Sequence, residues 1–185
     1  MTSVAPDVAV QRLVDEAEIT RVIYQYARGI DRRDRELVRS CYHADAVDSH
    51  GTFTGTRDEF LDWSFPFLER YTGTTHHMMN VLVDLAGDAA LVETYAIAHH
   101  FGDPPDDRRL NFRVGFRYVD RFERRDGGPW LIAERTVVFD WAENWVSNPV
   151  LQQKLGSTHA ADGPTDPLYD IASRVPGLDL RRGPT

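Results

Sequence analysis

ITRVIYQYARGIDRRDREL, residues Ile19 to Leu37, sets apolar side chains at Ile19, Val22, Ile23, Tyr26 and Ile30. That is the i, i+3, i+4, i+7 spacing of one face of an α-helix. The polar back of the same helix carries Arg21, Gln25 and Arg28. On a helical wheel Asp31 falls at the edge of the apolar stripe, near Tyr24 and Ala27. A carboxylate there can look into a cavity instead of out to water. Gly29 weakens the helix just before it, and Asp34 is a suitable N-cap for a second helix over Arg35–Tyr42. Asp31 is therefore expected near a helix–helix joint. Taken alone it reads first as a solvated charge, since Asp is mostly exposed, so the rest of the chain has to decide.

Upstream, the helix reaches back to about Val10, and residues 1–8 read as disordered. Downstream, Ala46–Ser49 and Thr52–Thr54 read as short strands around His50-Gly51. Thr56-Arg57-Asp58-Glu59 is a capping box. It opens a helix with Phe60, Trp63, Phe67 and Leu68 on its apolar face and a kink expected at Pro66. From Thr75 the period changes from 3.6 to 2. Thr75–Leu85, Ala89–Phe101, Leu110–Glu123 and Trp130–Trp141 are long strand candidates separated by Gly- and Asp-rich turns. Helices followed by a meander predict an α+β domain: an antiparallel sheet with helices on one face. Periodicity is lost after residue 145, where Pro149, Pro164, Pro167, Pro176 and Pro184 fall, with a short helical patch at Leu168–Arg174. The expected division is a domain over 1–145 and a tail over 146–185, lying across a pocket mouth or on a neighbouring subunit.

The chain's 185 residues suit one domain plus a tail and can bury roughly 70% of the unfolded surface. A net charge of −8 and a pI near 5.3 argue against nucleic acid and anionic membranes as partners. The single cysteine, Cys41, excludes an intramolecular disulfide and a cysteine-rich zinc site. There is no apolar run long enough to cross a membrane. The start, MTSVAPDVAVQ, lacks the basic and apolar regions of a signal peptide, so a cytoplasmic location is the default expectation. No P-loop, GxGxxG or HExxH motif occurs, and neither cofactor nor metal is expected.

Ala86-Gly87-Asp88-Ala89 fits a two-residue hairpin turn. In that register Asn80 faces Tyr95 and His76 faces His99, with Cβ atoms about 4.5–5.5 Å apart. One β-bulge would break this pairing. His77 and His100 would then point to the other face, with Met79, Val81, Val83 and Leu85. That face is the more apolar one, so alternation alone leaves open whether His76 or His77 enters the core. A metal held by His76 and His99 has chemical precedent in imidazole ligation, but no spaced ligand motif accompanies the pair.

Strand Trp130–Trp141 alternates Leu131, Ala133, Arg135, Val137, Phe139 and Trp141 onto one face. Arg135 is the only charge in that row. Arginine cannot shed its charge, so burial demands a partner: a carboxylate such as Asp31, a backbone carbonyl, or an anionic group on a substrate.

YARGIDRRD, then THHMMNVLVD and AGDAA, then RYVDRFERRDGGPWLIAER, together resemble a SnoaL-like domain of the nuclear transport factor-type, cystatin-like α+β superfamily. The resemblance covers roughly residues 10 to 145. It implies a cone: a curved antiparallel sheet wrapped around the N-terminal helices and enclosing an apolar pocket. The superfamily includes scytalone dehydratase, bile-acid 7α-dehydratase, lindane dehydrochlorinase, ketosteroid isomerase, limonene epoxide hydrolase and polyketide cyclases, and also non-enzymatic members. This chain is most similar to the lyases, whose aspartate, histidine and polar positions match Asp31, His76 and His99. The HxxxN spacing to Asn80 selects His76 over His77. The spacing from Trp130 to Arg135 matches the dehydrochlorinase, and Tyr26 matches a pocket tyrosine of the bile-acid enzyme. Ser49 departs from scytalone dehydratase, which has a pocket tyrosine there.

The resemblance implies a cofactor-free, dehydratase-like lyase acting on a small hydrophobic cyclic molecule, such as a polyketide, steroid-like or terpenoid compound. His76 is the expected general base and Asp31 its orienting carboxylate. Arg135 is expected to stabilise charge on the departing group, with His99 and Tyr26 assisting. Tyr24, Trp63, Phe67, Met78, Asn80, Leu82, Tyr95 and Phe139 are the expected substrate contacts. An isomerase or polyketide cyclase is the nearest alternative, and a non-catalytic ligand-binding or dimerisation domain the alternative from another class. Large apolar residues on both faces of the last two long strands predict a homodimer or homotrimer.

Overall fold

The stripe of Ile19, Val22, Ile23, Tyr26 and Ile30 is buried to 3% exposure or less along helix α1, Pro6–Asp31. The computed structural model describes residues 6–102, 111–146 and 160–180. Expectations for residues 1–5, 110, 147–159 and 181–185 lie outside the described residues. Pro6, Asp7 and Val8, expected to be disordered, are helical.

After α1 the chain turns through Arg33, whose φ of 51° is left-handed, into α2, Arg35–Ser40. Asp34 caps α2 by accepting from the Leu37 amide at 3.0 Å. Gly29 does more here than weaken a helix. A Cβ on it would lie 2.6 Å from Val38 Cγ2 and 3.0 Å from Val38 N, so glycine allows α1 and α2 to touch. The Arg33 guanidinium donates to the Leu68 and Tyr71 carbonyls at 3.1 and 2.5 Å, tying the turn to the end of α3, Arg57–Leu68. The capping box of α3 is formed by Thr56 and Glu59, and Pro66 lies inside the helix.

The strands are β1, Tyr42–His50; β2, Phe53–Thr56; β3, Gly73–Ala86; β4, Ala89–Phe101; β5, Phe112–Arg124; and β6, Trp130–Asn144. They form one six-stranded sheet in the order β2-β1-β6-β5-β4-β3, curved and unclosed. Every neighbouring pair is antiparallel except β1–β6, which is parallel, so the sheet is mixed. The core lies between its inner face and the helices, and includes Phe60, Leu61, Tyr118, Phe122 and Ile132. Among the described residues no helix is long and apolar enough to cross a membrane.

The β3–β4 register departs from the simple hairpin. Val81 faces Thr94, but Met78 faces Ala96, so Met79 and Asn80 together oppose Tyr95 in a β-bulge. Beyond it His76 faces Ala98, and His99 faces Thr75. The predicted pairing of His76 with His99 is therefore wrong, because one extra residue in β3 flips the facing of all that precede it. Two bulges also interrupt β6 against β5, so Phe139 and Trp141 no longer share a face as strict alternation requires.

The described part of the tail packs on the α1–α2 turn. The Gly163 amide donates to the Arg32 carbonyl at 2.6 Å. Arg32 pairs with the nearly buried Asp166 at 2.9 Å, and Arg33 with Asp162 at 2.5 Å. Helix α4, Pro167–Ala172, brings the Tyr169 hydroxyl to Asp34 at 3.3 Å. The tail thus grips Arg32, Arg33 and Asp34, the three residues that follow Asp31.

Candidate active site

At the C-terminal end of α1, Asp31 meets the start of β3. Its carboxylate accepts from the Thr74 hydroxyl at 3.1 Å, from the His76 amide at 2.9 Å and from His76 Nδ1 at 2.7 Å. An ionised carboxylate can only accept, so Nδ1 carries the hydrogen and Nε2 of the neutral ring holds the free lone pair. The two side chains are only 8% and 10% exposed. The pair is thus a carboxylate–imidazole dyad with its basic nitrogen left for another partner.

His76 lines a cavity of about 400 Å³ between the helices and the inner face of the sheet. Its walls are largely aromatic and aliphatic, with Tyr26, Ile30, Phe60, Trp63, Phe67, Phe116 and Phe139 among them. Such a space suits a small ring compound. Two further histidines line it. His100 is 5% exposed and stacks on Phe112 with centroids 4.1 Å apart. Its ring centroid is 6.0 Å from that of His76, and its Nδ1 has no hydrogen-bond partner among the described residues. Burial, with smaller contributions from His76 and the other histidines, pushes His100 down to about 3, so it is neutral near pH 7. His50 lines the cavity among Phe60, Trp63 and Phe139.

Of the residues singled out from the sequence, Tyr26, Trp63, Phe67, His76 and Phe139 line this cavity, and Asp31 holds His76. Several others do not. His99 lies on the outer face of the sheet, its ring 5.3 Å from that of the exposed His77; by the alternation of β4 it is His100 that lines the cavity, and the β3 bulge brings His76 to the same face. A shared metal on His76 and His99 is thereby ruled out by geometry. Asn80 is exposed in the bulge. Leu82 is 59% exposed, because it alternates with Val81 and Val83, which face the core. Tyr95, which faces the bulge, stacks against Arg117, and Met78 packs against the core without reaching the cavity. Tyr24 is 51% exposed on the outer side of α1. Ser49 hydrogen-bonds Thr54 at 3.2 Å, and the next residue, His50, occupies the cavity wall.

Arg135 is fully buried, as its apolar row predicts. Its partner is Asp120, which takes a bidentate pair from Nε and Nη2 at 2.8 and 2.6 Å. Nη1 donates to the Tyr42 hydroxyl at 3.2 Å, and Tyr42 in turn donates to the buried Asp48 at 2.8 Å. The guanidinium lies over the rings of Tyr26 and Tyr118, at 4.3 and 3.8 Å. It is absent from the cavity lining and lies behind Tyr26, which is part of that lining. Burial, partly offset by Arg135, pushes the Tyr26 hydroxyl up to about 12, which keeps it neutral.

Comparison with known protein families places residues 11–136 in a SnoaL-like domain. The chain belongs to the SnoaL-like family. The match runs from α1 into β6, so it includes the Asp31–His76 dyad and excludes the tail. Among solved structures, this SnoaL-like chain is similar to a protein of Novosphingobium aromaticivorans provisionally named a scytalone dehydratase, at 21% identity and TM-score 0.65, over 76% of this chain and 93% of that one. It is also similar to the hexachlorocyclohexane dehydrochlorinase LinA-type3 of Novosphingobium barchaimii, at 16% identity and TM-score 0.65, over 76% and 96%. A Nostoc punctiforme protein of unknown function with a cystatin-like fold aligns at 19% identity and TM-score 0.58, over 69% and 92%. At these identities the likeness establishes the fold. No curated protein sequence matches the chain.

Proposed function

We propose that this protein is a cofactor-free lyase that eliminates a small leaving group from a hydrophobic cyclic substrate. The observation that carries the reading is the 2.7 Å Asp31–His76 contact at the wall of an apolar cavity. A hydrophobic binder gains nothing from desolvating such a pair. Nε2 of His76 takes the proton from the carbon next to the one bearing the leaving group. The C–H electron pair becomes the new double bond, and the leaving group departs with its own bonding pair. Asp31 stabilises the imidazolium so formed and holds its orientation. His100, neutral and in the same cavity wall, hydrogen-bonds the departing group, and Tyr26 orients the substrate ring. Arg135 acts on this chemistry from behind the wall, by fixing Tyr26. Solved structures named for dehydratase and dehydrochlorinase activities support the reading.

The test is release of water or halide from a panel of hydroxylated and chlorinated cyclic compounds. His76→Ala is expected to lower kcat by about 10²–10⁴-fold, and Asp31→Asn by no more than that. His77→Ala, on the outer face, should leave turnover unchanged. A folded His76→Ala variant that retains full activity would sink the assignment. Movement of a proton with no group released would instead establish isomerisation in the same cavity.

A further inference from the structure

A second carboxylate–imidazole pair stands elsewhere in the cavity wall. In β1 the alternation that buries Ala46 also turns Asp48 and His50 inward. Asp48 is fully buried. One of its oxygens accepts from Tyr42 at 2.8 Å, while the other faces His50 Nδ1 at 3.4 Å. That separation is ion-pair contact rather than a formed hydrogen bond, and both atoms are otherwise without partners among the described residues. With a carboxylate opposite Nδ1, the hydrogen belongs on Nδ1 and Nε2 is the nitrogen left for the cavity. The surroundings differ from those of His76. The centroid of His50 lies 5.3 Å from Phe60, 5.9 Å from Trp63 and 6.1 Å from Phe139, so it is framed by the rings that would sandwich a flat substrate. Behind it, Arg135, Asp120 and Asp48 bury one positive and two negative charges, linked through Tyr42. A proton on His50 leaves that group neutral overall.

We infer that the Asp48–His50 pair is a second polar subsite of the cavity, which binds a phenolic or enolic oxygen of the ligand through His50 Nε2. This deepens the lyase reading by naming what the substrate carries away from His76: an oxygen on, or conjugated to, its ring. A hydrocarbon or a purely halogenated ring leaves His50 desolvated and unmatched, which costs affinity. A phenol or enol there gives its O–H proton to Nε2, and the oxyanion so formed accepts from the imidazolium, with Asp48 as counter-ion. It also stabilises negative charge delocalised onto it while His76 removes the proton.

The probes are 4-nitrophenol and 4-nitrotoluene, matched in shape and differing in the oxygen, with binding measured by calorimetry. The native protein should prefer 4-nitrophenol by about tenfold or more, the worth of a hydrogen bond to a charged group, and the long-wavelength phenolate absorbance should grow on binding. His50→Asn keeps a donor toward Asp48 and removes Nε2. It should bring the preference to about one while leaving 4-nitrotoluene affinity in place. His76→Asn should keep the preference. A native protein that does not distinguish the probes overturns the inference, as does a preference that survives His50→Asn or disappears in His76→Asn. Probe binding needs no turnover, so a protein that binds in this way and eliminates nothing would refute the lyase reading and leave this subsite standing.

Discussion

Replacing Arg135 by methionine looks harmless from its apolar row, and Asp120 is why it is not. The carboxylate of Asp120 is fully buried and receives two hydrogen bonds from Arg135. Removing one partner of a buried ion pair leaves an uncompensated charge and costs about 3–5 kcal/mol. Against a total stability of about 5–15 kcal/mol, that loss is visible in any denaturation experiment. For a chain of this size it corresponds to a fall in Tm of about 6–20 °C. The double variant Arg135→Met/Asp120→Leu removes both charges and should recover most of the loss. The pH dependence supplies a second check. Burial already raises the Asp120 carboxyl, and Arg135→Met removes the largest influence that opposes it. Its folded pKa then lies above the unfolded value near 3.9. The folded variant therefore takes up a proton as pH falls, and its deficit against the native protein narrows from pH 7 toward pH 5. Urea midpoints across that range test both points. A single variant as stable as the native protein, or a double variant no better than the single, would refute the reasoning.

His100 makes a signed prediction of its own. Its folded value is pushed down to about 3 from 6.5, so its contribution to stability is fully present above about pH 6.5 and is lost as pH falls toward 3, at up to about 1.4 kcal/mol per pH unit. His100→Phe should flatten the denaturant-midpoint profile over that interval, and an unchanged slope would show that His100 titrates normally. Gly29→Ala should destabilise by about 1–3 kcal/mol from overpacking against Val38, although alanine is the better helix former; a gain in Tm would show that α1 and α2 do not touch as described. The outer sheet face exposes Met79, Leu82, Leu91 and Trp141 at 43–59%, and we expect a dimer or trimer formed there. Light scattering at micromolar concentration should give a multiple of 21.1 kDa, and a value of 21.1 kDa itself would remove that expectation.

The elements were legible because their periods are clean. The stripe of α1, the capping box of α3 and the limits of β4 follow from spacing alone. What alternation could not carry was parity across a bulge. Counting back from Val81, Val83 and Leu85, strict alternation buries Met79 and His77. The extra residue at Met79–Asn80 turns Met78, His76 and Thr74 inward instead, beside His100, which the unbroken alternation of β4 already turns inward while leaving His99 outside. The same limit applied to Arg135. Its burial is readable from its row, but Asp120 comes from a neighbouring strand and is brought opposite it by a bulge in β6 between Ile132 and Glu134. His50 was read as part of a turn, and only the inward run of Ala46, Asp48 and His50 in β1 brings it to the cavity.

The three cavity histidines show how one fold can divide acid and base work among identical side chains. His76 has a carboxylate in full hydrogen-bond contact and an amide fixing that carboxylate, so its ring is oriented to accept at Nε2. His100 has aromatic neighbours, and burial, with smaller contributions from the other histidines, holds it neutral near pH 7. His50 faces a carboxylate that belongs to a buried charged group with one negative charge in excess. Different hydrogen-bond partners around identical groups are what give them different parts in one cavity. The buried Arg135 pair fits this scheme as scaffold. It fixes Tyr26 on one side and, through Tyr42 and Asp48, sets the charge that His50 faces on the other. Loss of Arg135 should therefore disturb ligand oxygen binding at His50 before it disturbs the Asp31–His76 contact, which shares no hydrogen bond with that group.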